Sequence, residues 1–478
     1  MRNIILFANS TLLLIFISCK THSFKTAELE RKIPAQFLQN GSANSTAIPN
    51  WKQIFIDSNL TALIDTALKN NFDLRSALQK IELSRSNVRL NKGIRLPEVS
   101  INGSIGNRKF GDYTIDGVGN FDTQFSQNIN ENQRIPNPIP DFYTGLLYSW
   151  EIDLWGKLKS KKEAATSRFI ASEFEKNFII TSLIAEVAKT YFEIQAFQYE
   201  TEILQENINL QQAALDLVIS QKEAGKANQL GVEMMNAQLL RSKEILIEVR
   251  QELTESENKM KFLCGSFSIT TSKVYDYFEE RVKMISETGI PSDLLKNRPD
   301  IKKSELDLIA CKADVFAAER AFYPSLNING AIGLQSFKAI LFLDFPASFA
   351  YNIFSGITAP IFNRRKLRAD LMASKSEQKQ AYIHYEKTVL NSFLEVHTSI
   401  FEVQNVKEML ELKKEEVKLL KNSILFSSEL FKAGKATYLE VITAQKNTLE
   451  AQIELINLHK RQNNSITNLY RSLGGGWK

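Results

Sequence analysis

The chain has 478 residues, 44% of them hydrophobic, and its 59 basic and 54 acidic side chains give a net charge of +5. The two charge signs are well mixed, and no basic stripe carries interleaved aromatic residues, so the composition argues against a nucleic-acid partner. With only 11 prolines and 20 glycines among many Leu, Glu, Lys, Gln and Ala residues, the chain favours helix.

The N-terminus has the pattern of a secretory signal peptide, which we predict to span residues 1–18. Its apolar run, residues 4–17, is shorter than the roughly 20 residues that a membrane-spanning helix needs. Ser18 before Cys19 resembles a lipobox, which would make Cys19 a lipidated residue that anchors the protein without crossing the membrane. The alternative is a plain signal peptide with an incidental cysteine. Residues 19–56 are expected to form a lipidated, extended N-terminal segment.

The rest of the chain contains two copies of one unit. PEVSINGSIG at Pro97 matches PSLNINGAIG at Pro324, and EVAKTYFEIQ at Glu186 matches EVHTSIFEVQ at Glu395. The shift in numbering is larger for the first match than for the second, which places an insertion in residues 107–140. The Gly, Asn and Pro content of that segment predicts a long loop. The two repeats are predicted to span residues 57–286 and 287–478.

Each repeat reads as helix, strand, loop, strand, very long helix, turn and long helix. The predicted helices span about 58–92, 157–223 and 228–263, and then about 292–320, 364–432 and 437–473. Apolar and polar residues alternate in the four predicted strands, at about 97–106, 143–154, 324–335 and 347–358. Trp150 and Trp155, near the end of the second strand, fit either an aromatic girdle or a core position.

The long helices are predicted to pack side by side. Apolar residues recur at every seventh position from Val389 to Phe431, which is typical of supercoiled helices. The sequence AGKA ends both very long helices, so Gly225 and Gly434 are predicted to be left-handed helix caps. The sequence therefore predicts two helical hairpin tips, both pointing away from the strands.

Strand number bears on the number of subunits. After Cys19 no apolar stretch is long enough to span a membrane as a helix, so any membrane crossing by the mature protein requires strands. Four strands are too few to close a membrane barrel, since the smallest single-chain barrels have eight. Two chains would supply eight strands and three would supply twelve, and a conducting lumen favours three. The alternation by itself also fits a half-buried soluble sheet.

Seven motifs in order carry a family resemblance. They are WKQIFIDSNLTALIDTALKNNFDL at Trp51, SWEIDLWGKLKS at Ser149, KNRPDI at Lys296, AFYPSLNINGAIG at Ala321, PIFNRRKLRADL at Pro360, FKAGKATYLEVITAQKNTL at Phe431 and LGGGW at Leu473. Over nearly the whole mature chain these residues resemble the outer-membrane efflux factor family, which includes TolC and OprM. The lipobox, WEIDLWGK and LGGGW are similar to its lipoprotein branch, which RND pumps serve.

The resemblance implies a mainly α fold with a membrane β-barrel part, built from a duplicated unit. In the implied homotrimer, four strands per chain form a twelve-stranded barrel in the outer membrane, and the helices form a long periplasmic tunnel. The implied function is a passive exit duct for small molecules such as drugs or metal ions. Its implied partners are a periplasmic adaptor (membrane fusion) protein, an inner-membrane RND pump and outer-membrane lipid.

The resemblance also implies roles for residues at the hairpin tips. Glu440 stands at the last position of a G-x-x-T-x-x-D pattern, where three copies would form a negative ring at the periplasmic aperture; a solvated helix-face glutamate is the alternative. The implied adaptor contacts, or else ordinary surface residues, are Gly225, Lys226, Gly434, Lys435 and Tyr438. Gly231 and Ala436 occupy the positions of the family's charged lock, which therefore cannot form in the same way.

Motifs for catalysis are missing from the sequence. The four histidines lack metal-ligand spacing, and neither HExxH nor GxSxG occurs. We therefore expect no enzyme, cofactor or metal site. Cys264 and Cys311 are expected to be unpaired core residues, with a disulfide between them as the alternative. The alternative functions are a TolC-like duct for type I protein secretion and a lipid-anchored periplasmic coiled-coil scaffold.

Overall fold

The computed structural model describes residues 49–269, 282, 293–361 and 364–477. The predicted signal peptide, Cys19 and the N-terminal segment as far as residue 48 lie outside these described residues. So does the predicted boundary between the repeats at residues 286 and 287.

Both repeats have the predicted order of elements. The first contains α1 (Trp51–Ile54), α2 (Ser58–Asn70), α3 (Phe72–Gly93), β1 (Glu98–Arg108), α4 (Ile115–Asp122), β2 (Ile139–Ile152), α5 (Lys157–Glu223) and α6 (Gln229–Leu263). The second contains α7 (Leu294–Asn297), α8 (Pro299–Arg320), β3 (Ser325–Ser336), β4 (Phe349–Thr358), α9 (Arg364–Lys432) and α10 (Tyr438–Ser472). All four predicted strands are present, with bounds close to those predicted.

Two helices that the sequence predicts as continuous are divided, so those two predictions were wrong. The predicted helix 58–92 breaks at Asn71, whose side chain accepts hydrogen bonds from the backbone of Asp73 and Leu74 and so starts a new helix. The predicted helix 292–320 breaks at Arg298, because Pro299 begins a helix well but cannot continue one. The predicted loop at 107–140 also contains a helix, α4.

The four strands form one antiparallel sheet in the order β1-β2-β3-β4. Ile101 of β1 lies opposite Leu146 of β2, which lies opposite Ile332 of β3, which lies opposite Tyr351 of β4. This register aligns the alternating faces of all four strands. It leaves β1 and β4 as the two edges of the sheet.

The very long helices have the predicted length and packing. α5 contains 67 residues and α9 contains 69, which corresponds to about 100 Å each at 1.5 Å per residue. Along the predicted row of α9, Val396, Leu410 and Val417 are buried. α5 packs against α6, α9 packs against α10, and α10 also packs on α5. The heptad row therefore lies in helix–helix contacts.

The repeated KNNFDL and KNRPDI motifs are explained by one contact made twice. Gly265 has φ +58°, and a Cβ there would lie 2.6 Å from the carbonyl oxygen of Asn70. Gly474, with φ +89°, faces the carbonyl oxygen of Asn297 in the same way, at 2.7 Å. Each repeat therefore joins the start of its short helix to the end of its last long helix through a glycine that no other residue can replace without strain.

Arg298 holds this joint together in the second repeat. Its guanidinium is buried and donates to Asp300 at 3.0 and 2.6 Å, to Glu395 at 2.7 Å and to the carbonyl oxygen of Ser472 at 2.8 Å. The three acceptors lie on α8, α9 and α10. One buried cation thus fixes the relative positions of three helices.

Across the ranges that the structure describes, helices long and apolar enough to span a membrane are absent.

Candidate functional site

The sheet has one apolar face and one polar face. Through the strand register, the apolar face combines Val99, Ile101, Ile105, Phe142, Leu146, Tyr148, Leu326, Ile332, Leu334, Phe349, Tyr351, Ile353 and Ile357. Several of these side chains are strongly exposed in the single chain, among them Ile101 at 83% and Tyr351 at 70%. An apolar surface of this extent calls for an apolar environment.

The opposite face carries mainly polar and small side chains, some of which are hydrogen-bonded across strands. Ser149 donates to the amide oxygen of Asn329 at 2.8 Å, and Gln335 donates to Asp141 at 2.8 Å. Leu147 and Phe354 interrupt this face. The face is therefore suited to contact with water.

The strands meet the helices at a junction fixed by two tryptophans. The indole nitrogen of Trp150 donates to the carbonyl oxygen of Arg95 at 3.0 Å, and that of Trp155 donates to the carbonyl oxygen of Pro324 at 2.7 Å. The centre of the Trp155 ring also lies 5.2 Å from that of Tyr323. Both indoles thus bind backbone that connects a helix to another strand, Arg95 before β1 and Pro324 before β3, which orients the sheet relative to the helices.

The two hairpin tips have the predicted left-handed glycine caps. Gly225 has φ +70° and Gly434 has φ +68°, with open space where a Cβ would stand. The amide of Lys226 donates back to Gln221 at 2.7 Å, and that of Lys435 donates to Leu430 at 2.8 Å. These bonds satisfy carbonyls at the end of each long helix. The predicted contact residues Lys226 and Lys435 are exposed on these turns.

Within one chain the tips contact each other through Tyr438. A Cβ on Gly231 would lie 2.9 Å from Cδ1 and 3.0 Å from Cε1 of the Tyr438 ring, so the ring packs on the bare backbone of α6. Tyr438 is therefore half-buried and is not a freely exposed contact residue. This packing of a ring on a glycine joins the two hairpins within one chain.

Glu440 has a local role in α10. Its carboxylate accepts from the backbone of Thr437 at 3.0 Å and also from the Thr437 hydroxyl, which completes a capping box. The bond from that hydroxyl is the main reason that the pKa of Glu440 is lowered, so the fully exposed side chain stays charged.

A pair of exposed leucines at the tips was missed by the sequence reasoning. Leu230 is 60% exposed and Leu439 is 52% exposed, each in the first turn of the helix that leaves its tip. They stand at equivalent positions of the two repeats, related by the same shift as Glu186 and Glu395. That repeat shift is the signal that would have found them.

Glu200 is a buried carboxyl in the middle of the helical part. It lies on α5, is 6% exposed, and faces Lys460 of α10 and Glu252 of α6. Burial, reinforced by Glu252 and opposed by Lys460, raises the pKa of Glu200 to about 7. The helix contacts here therefore include a group that titrates near neutral pH.

The cysteines and the acidic residues give no sign of redox or metal chemistry in the described part of the chain. Cys264 and Cys311 are both free, as predicted. Cys264 is buried, and burial raises the pKa of its thiol to about 11, but Cys311 is only half-buried, so the predicted core position was wrong for Cys311. Among the described residues, no group of three or more His, Cys, Asp or Glu side chains is arranged to hold a metal ion.

Comparison with known proteins places this architecture in a wider group. The sequence model of a family described as outer membrane efflux protein matches residues 63–266 and 290–475. Cation efflux system protein CusC of Escherichia coli strain K12 is 28% identical over 450 residues, which cover 93% of each chain. Solvent efflux pump outer membrane protein SrpC of Pseudomonas putida is 28% identical over 435 residues, 91% of this chain and 88% of that one.

The fold has a close counterpart among solved structures. A crystal structure of CusC, described in connection with folding and transmembrane channel formation, superposes with a TM-score of 0.80. The alignment covers 93% of this chain and 97% of that chain, at 26% identity. The long helices, the four-stranded sheet and their order along the chain are thus shared with a channel-forming protein.

Proposed function

Since the chain belongs to the outer membrane efflux protein family, we propose that it is the exit duct of a three-part efflux system. In this role it carries small molecules passively through the outer membrane, and a partner pump in the inner membrane supplies the energy. The observation that carries the proposal is the two-faced sheet, with an apolar face for lipid and a polar face for a water-filled lumen. The helices extend this lumen into the periplasm.

The internal repeat supports a homotrimer. α8 of the second repeat lies between α9 of its own repeat and α5 of the first. α3, the counterpart of α8, packs on α5 of its own repeat. By analogy with α8, we expect α3 to pack also on a long helix of the other repeat, which is α9 of a neighbouring chain. The same logic places β1 beside β4 of a neighbour. We call this contact between chains the seam.

Exposure along α3 supports the seam. Leu83 is 64% exposed and Leu90 is 60% exposed, whereas their counterparts in the second repeat, Ala310 and Ala317, are 0% and 5% exposed. Ala310 packs against Ala164 of α5 inside the chain. The counterpart of Ala164 is the exposed Ala373 of α9. In the trimer we therefore expect Leu83 of one copy to contact Ala373 of the next.

Three copies would close the sheet into a barrel of twelve strands, since four strands per chain leave two unpaired edges that lipid does not tolerate. In the same arrangement the hairpin tips form a ring at the far end of the tunnel. We propose that this ring docks the adaptor through Leu230 and Leu439, flanked by Lys226 and Lys435. Glu440 is proposed to line the aperture, and Cys19 to carry the lipid anchor.

The cargo is proposed to be set by the partner pump. Relatives of similar identity are named for cations in one case and for solvents in another. A wide polar lumen discriminates weakly among small solutes, because it makes few desolvated contacts with any of them. We accordingly assign no single cargo to this chain.

Reconstitution tests the duct. The mature lipidated protein, purified in detergent and added to planar bilayers, should give stepwise conductance and should migrate as a heat-sensitive trimer. A periplasmic scaffold with the same helices would give neither result. A water-soluble monomer without ion conduction would refute the proposal.

Docking is tested separately with Leu230→Ser and Leu439→Ser. The double variant should keep its trimer and its conductance but lose most pump-dependent efflux in cells, because only the adaptor contact has changed. Lys414→Ser is the matched control, since this exposed residue of α9 lies several helical turns before Gly434 and far from the tip. Unimpaired efflux in the double variant would remove these leucines from the docking surface.

A further inference from the structure

The loop between β1 and β2 is the main difference between the repeats, and neither the pore wall nor the tips account for it. It spans residues 109–138, whereas the corresponding loop between β3 and β4 spans residues 337–348. Loops this long in compact proteins usually serve a function. This one lies at the end of the sheet farthest from the long helices.

The loop has a fixed internal structure. The Thr114 hydroxyl caps α4 by accepting from the backbone of Gly117 at 3.0 Å. A Cβ on Gly117 would lie 2.0 Å from the carbonyl oxygen of Gly111, so this turn requires a glycine. Beyond the helix, Gln124 donates to the carbonyl oxygen of Ile135 at 2.6 Å. These bonds tie both ends of α4 to the rest of the loop.

The orientation of α4 is the reverse of that expected for a surface helix. Its buried residue is the polar Asn120, which donates to the carbonyl oxygen of Pro136. Three apolar side chains of α4 and one just beyond its end point outward instead and are 50–93% exposed; we call them the apolar stripe, formed by Ile115, Val118, Phe121 and Phe125. Exposure of a contiguous apolar surface on a helix that buries an asparagine is typical of an interaction site.

A second exposed apolar surface occurs on the loop between β3 and β4. Ile340 is 87% exposed, Leu343 is 77% exposed and Phe345 is 69% exposed; we call these three the apolar hook. Lys338 of this loop donates to the carbonyl oxygen of Glu131 at 2.7 Å. This bond fixes the hook relative to the longer loop of its own chain.

We propose that the apolar stripe of one copy packs on the apolar hook of the next copy. The inference rests on the trimer of the proposed function, and its main support is continuity with the seam. β1 runs into the long loop and β4 begins directly after the hook loop, so the two loops lie at the same end of the sheet. When β1 of one copy lies beside β4 of its neighbour, stripe and hook meet above that pair of strands.

The contact gives the trimer a ring of three apolar clasps outside the membrane. Each clasp covers aromatic and aliphatic side chains that a single chain leaves in water, so it stabilises association and not the fold of one chain. It also ties together the ends of β1 and β4, the two strands that pair between different chains. The longer loop of the first repeat thus serves to hold the trimer together.

Disulfide trapping tests the clasp in the full-length protein. The half-exposed Cys311 is first replaced by Cys311→Ser, whereas Cys264 is kept because it is fully buried. The clasp pair is Val118→Cys with Leu343→Cys, and the seam pair, in a separate variant, is Leu83→Cys with Ala373→Cys. After mild oxidation of membranes, both variants should migrate as covalently linked trimers on non-reducing gels. Leu83→Cys alone and Val118→Cys alone are the controls.

The outcomes separate the inference from the proposed trimer. Crosslinks at the seam without crosslinks at the clasp would overturn the clasp and leave the trimer standing. Crosslinks at neither site would overturn both. A clasp disulfide within a single chain would show that the stripe covers its own hook, which also overturns the inference.

A second measurement does not depend on cysteine geometry. Val118→Asp with Phe121→Asp should lower the temperature at which trimers dissociate on heating, whereas Asp116→Asn on the same helix should leave it unchanged. If the trimer of the double variant dissociated at the original temperature while its seam still crosslinked, the clasp would be refuted.

Discussion

Replacing Leu83 and Leu90 with serine should weaken the trimer and leave the single chain nearly unaffected. Both side chains are at least 60% exposed in one chain, so little of their burial occurs when that chain folds. Full burial of a leucine contributes roughly 1.5–3 kcal/mol. The exposed part of each therefore accounts for about 1–2 kcal/mol per seam, and the pair for about 2–4 kcal/mol.

The assay is a heating series of the purified protein in detergent, with trimer and monomer separated by electrophoresis. Because the trimer has three seams, the double variant should lose about 6–12 kcal/mol of association free energy, and its trimer should dissociate at a clearly lower temperature. The circular dichroism of the helices should change little at room temperature. Arg89→Ser, an exposed residue of the same helix, is the matched control.

One result would exclude the contact of α3 with a neighbouring chain. If the double variant dissociated at the same temperature as the unmodified protein, α3 would not lie in the seam. The exposure of Leu83, in contrast with the burial of Ala310, would then have another cause.

Three further predictions concern single residues. Arg298→Met should lower the free energy of unfolding by about 3–5 kcal/mol, because it leaves partly buried carboxylates without their cation. Lys414→Met, which breaks an exposed ion pair with Glu411, should lower it by at most about 1 kcal/mol. Equal losses in the two variants would contradict the role given to Arg298. Glu440→Gln should reduce the preference of the channel for cations in bilayer recordings made at asymmetric salt concentrations, and an unchanged reversal potential would place this side chain away from the aperture. The pKa of Glu200 is about 7 in the folded chain against an ordinary value of 4.5, so the folded chain becomes less stable as the pH rises from 4.5 to 7, by up to about 3 kcal/mol per chain. Glu200→Gln should therefore raise the melting midpoint at pH 7.5 but not at pH 4.5. An equal gain at both pH values would show that charge is not the cause.

Local patterns were sufficient to predict the strands, the long helices and the tip caps. The alternation in β1 and β4 reflects a property of each strand alone, since successive side chains point to opposite faces. Gly225 and Gly434 were predictable for a similar reason, because a positive φ at a helix end selects glycine wherever it occurs. The family resemblance then supplied the trimer and the tunnel as expectations.

The candidate site could be predicted only in part. The exposed lysines of the tips follow from the turn sequence, but Tyr438 lies against Gly231, which belongs to the other repeat. The burial of Glu200 likewise depends on helices that come later in the sequence. The repeat shift shows that Leu230 and Leu439 are equivalent positions, but it does not predict that both are exposed.

The sequence by itself determined the elements, the duplication and the two faces of the sheet, because each depends on the periodicity of neighbouring residues. Only the tertiary structure decided which equivalent positions of the two repeats are buried in one repeat and exposed in the other. It buries Ala310 against the first repeat but leaves Leu83 exposed in the single chain, and it turns the polar side of α4 inward. These contrasts arise from contacts between residues far apart in the chain, which periodicity does not encode.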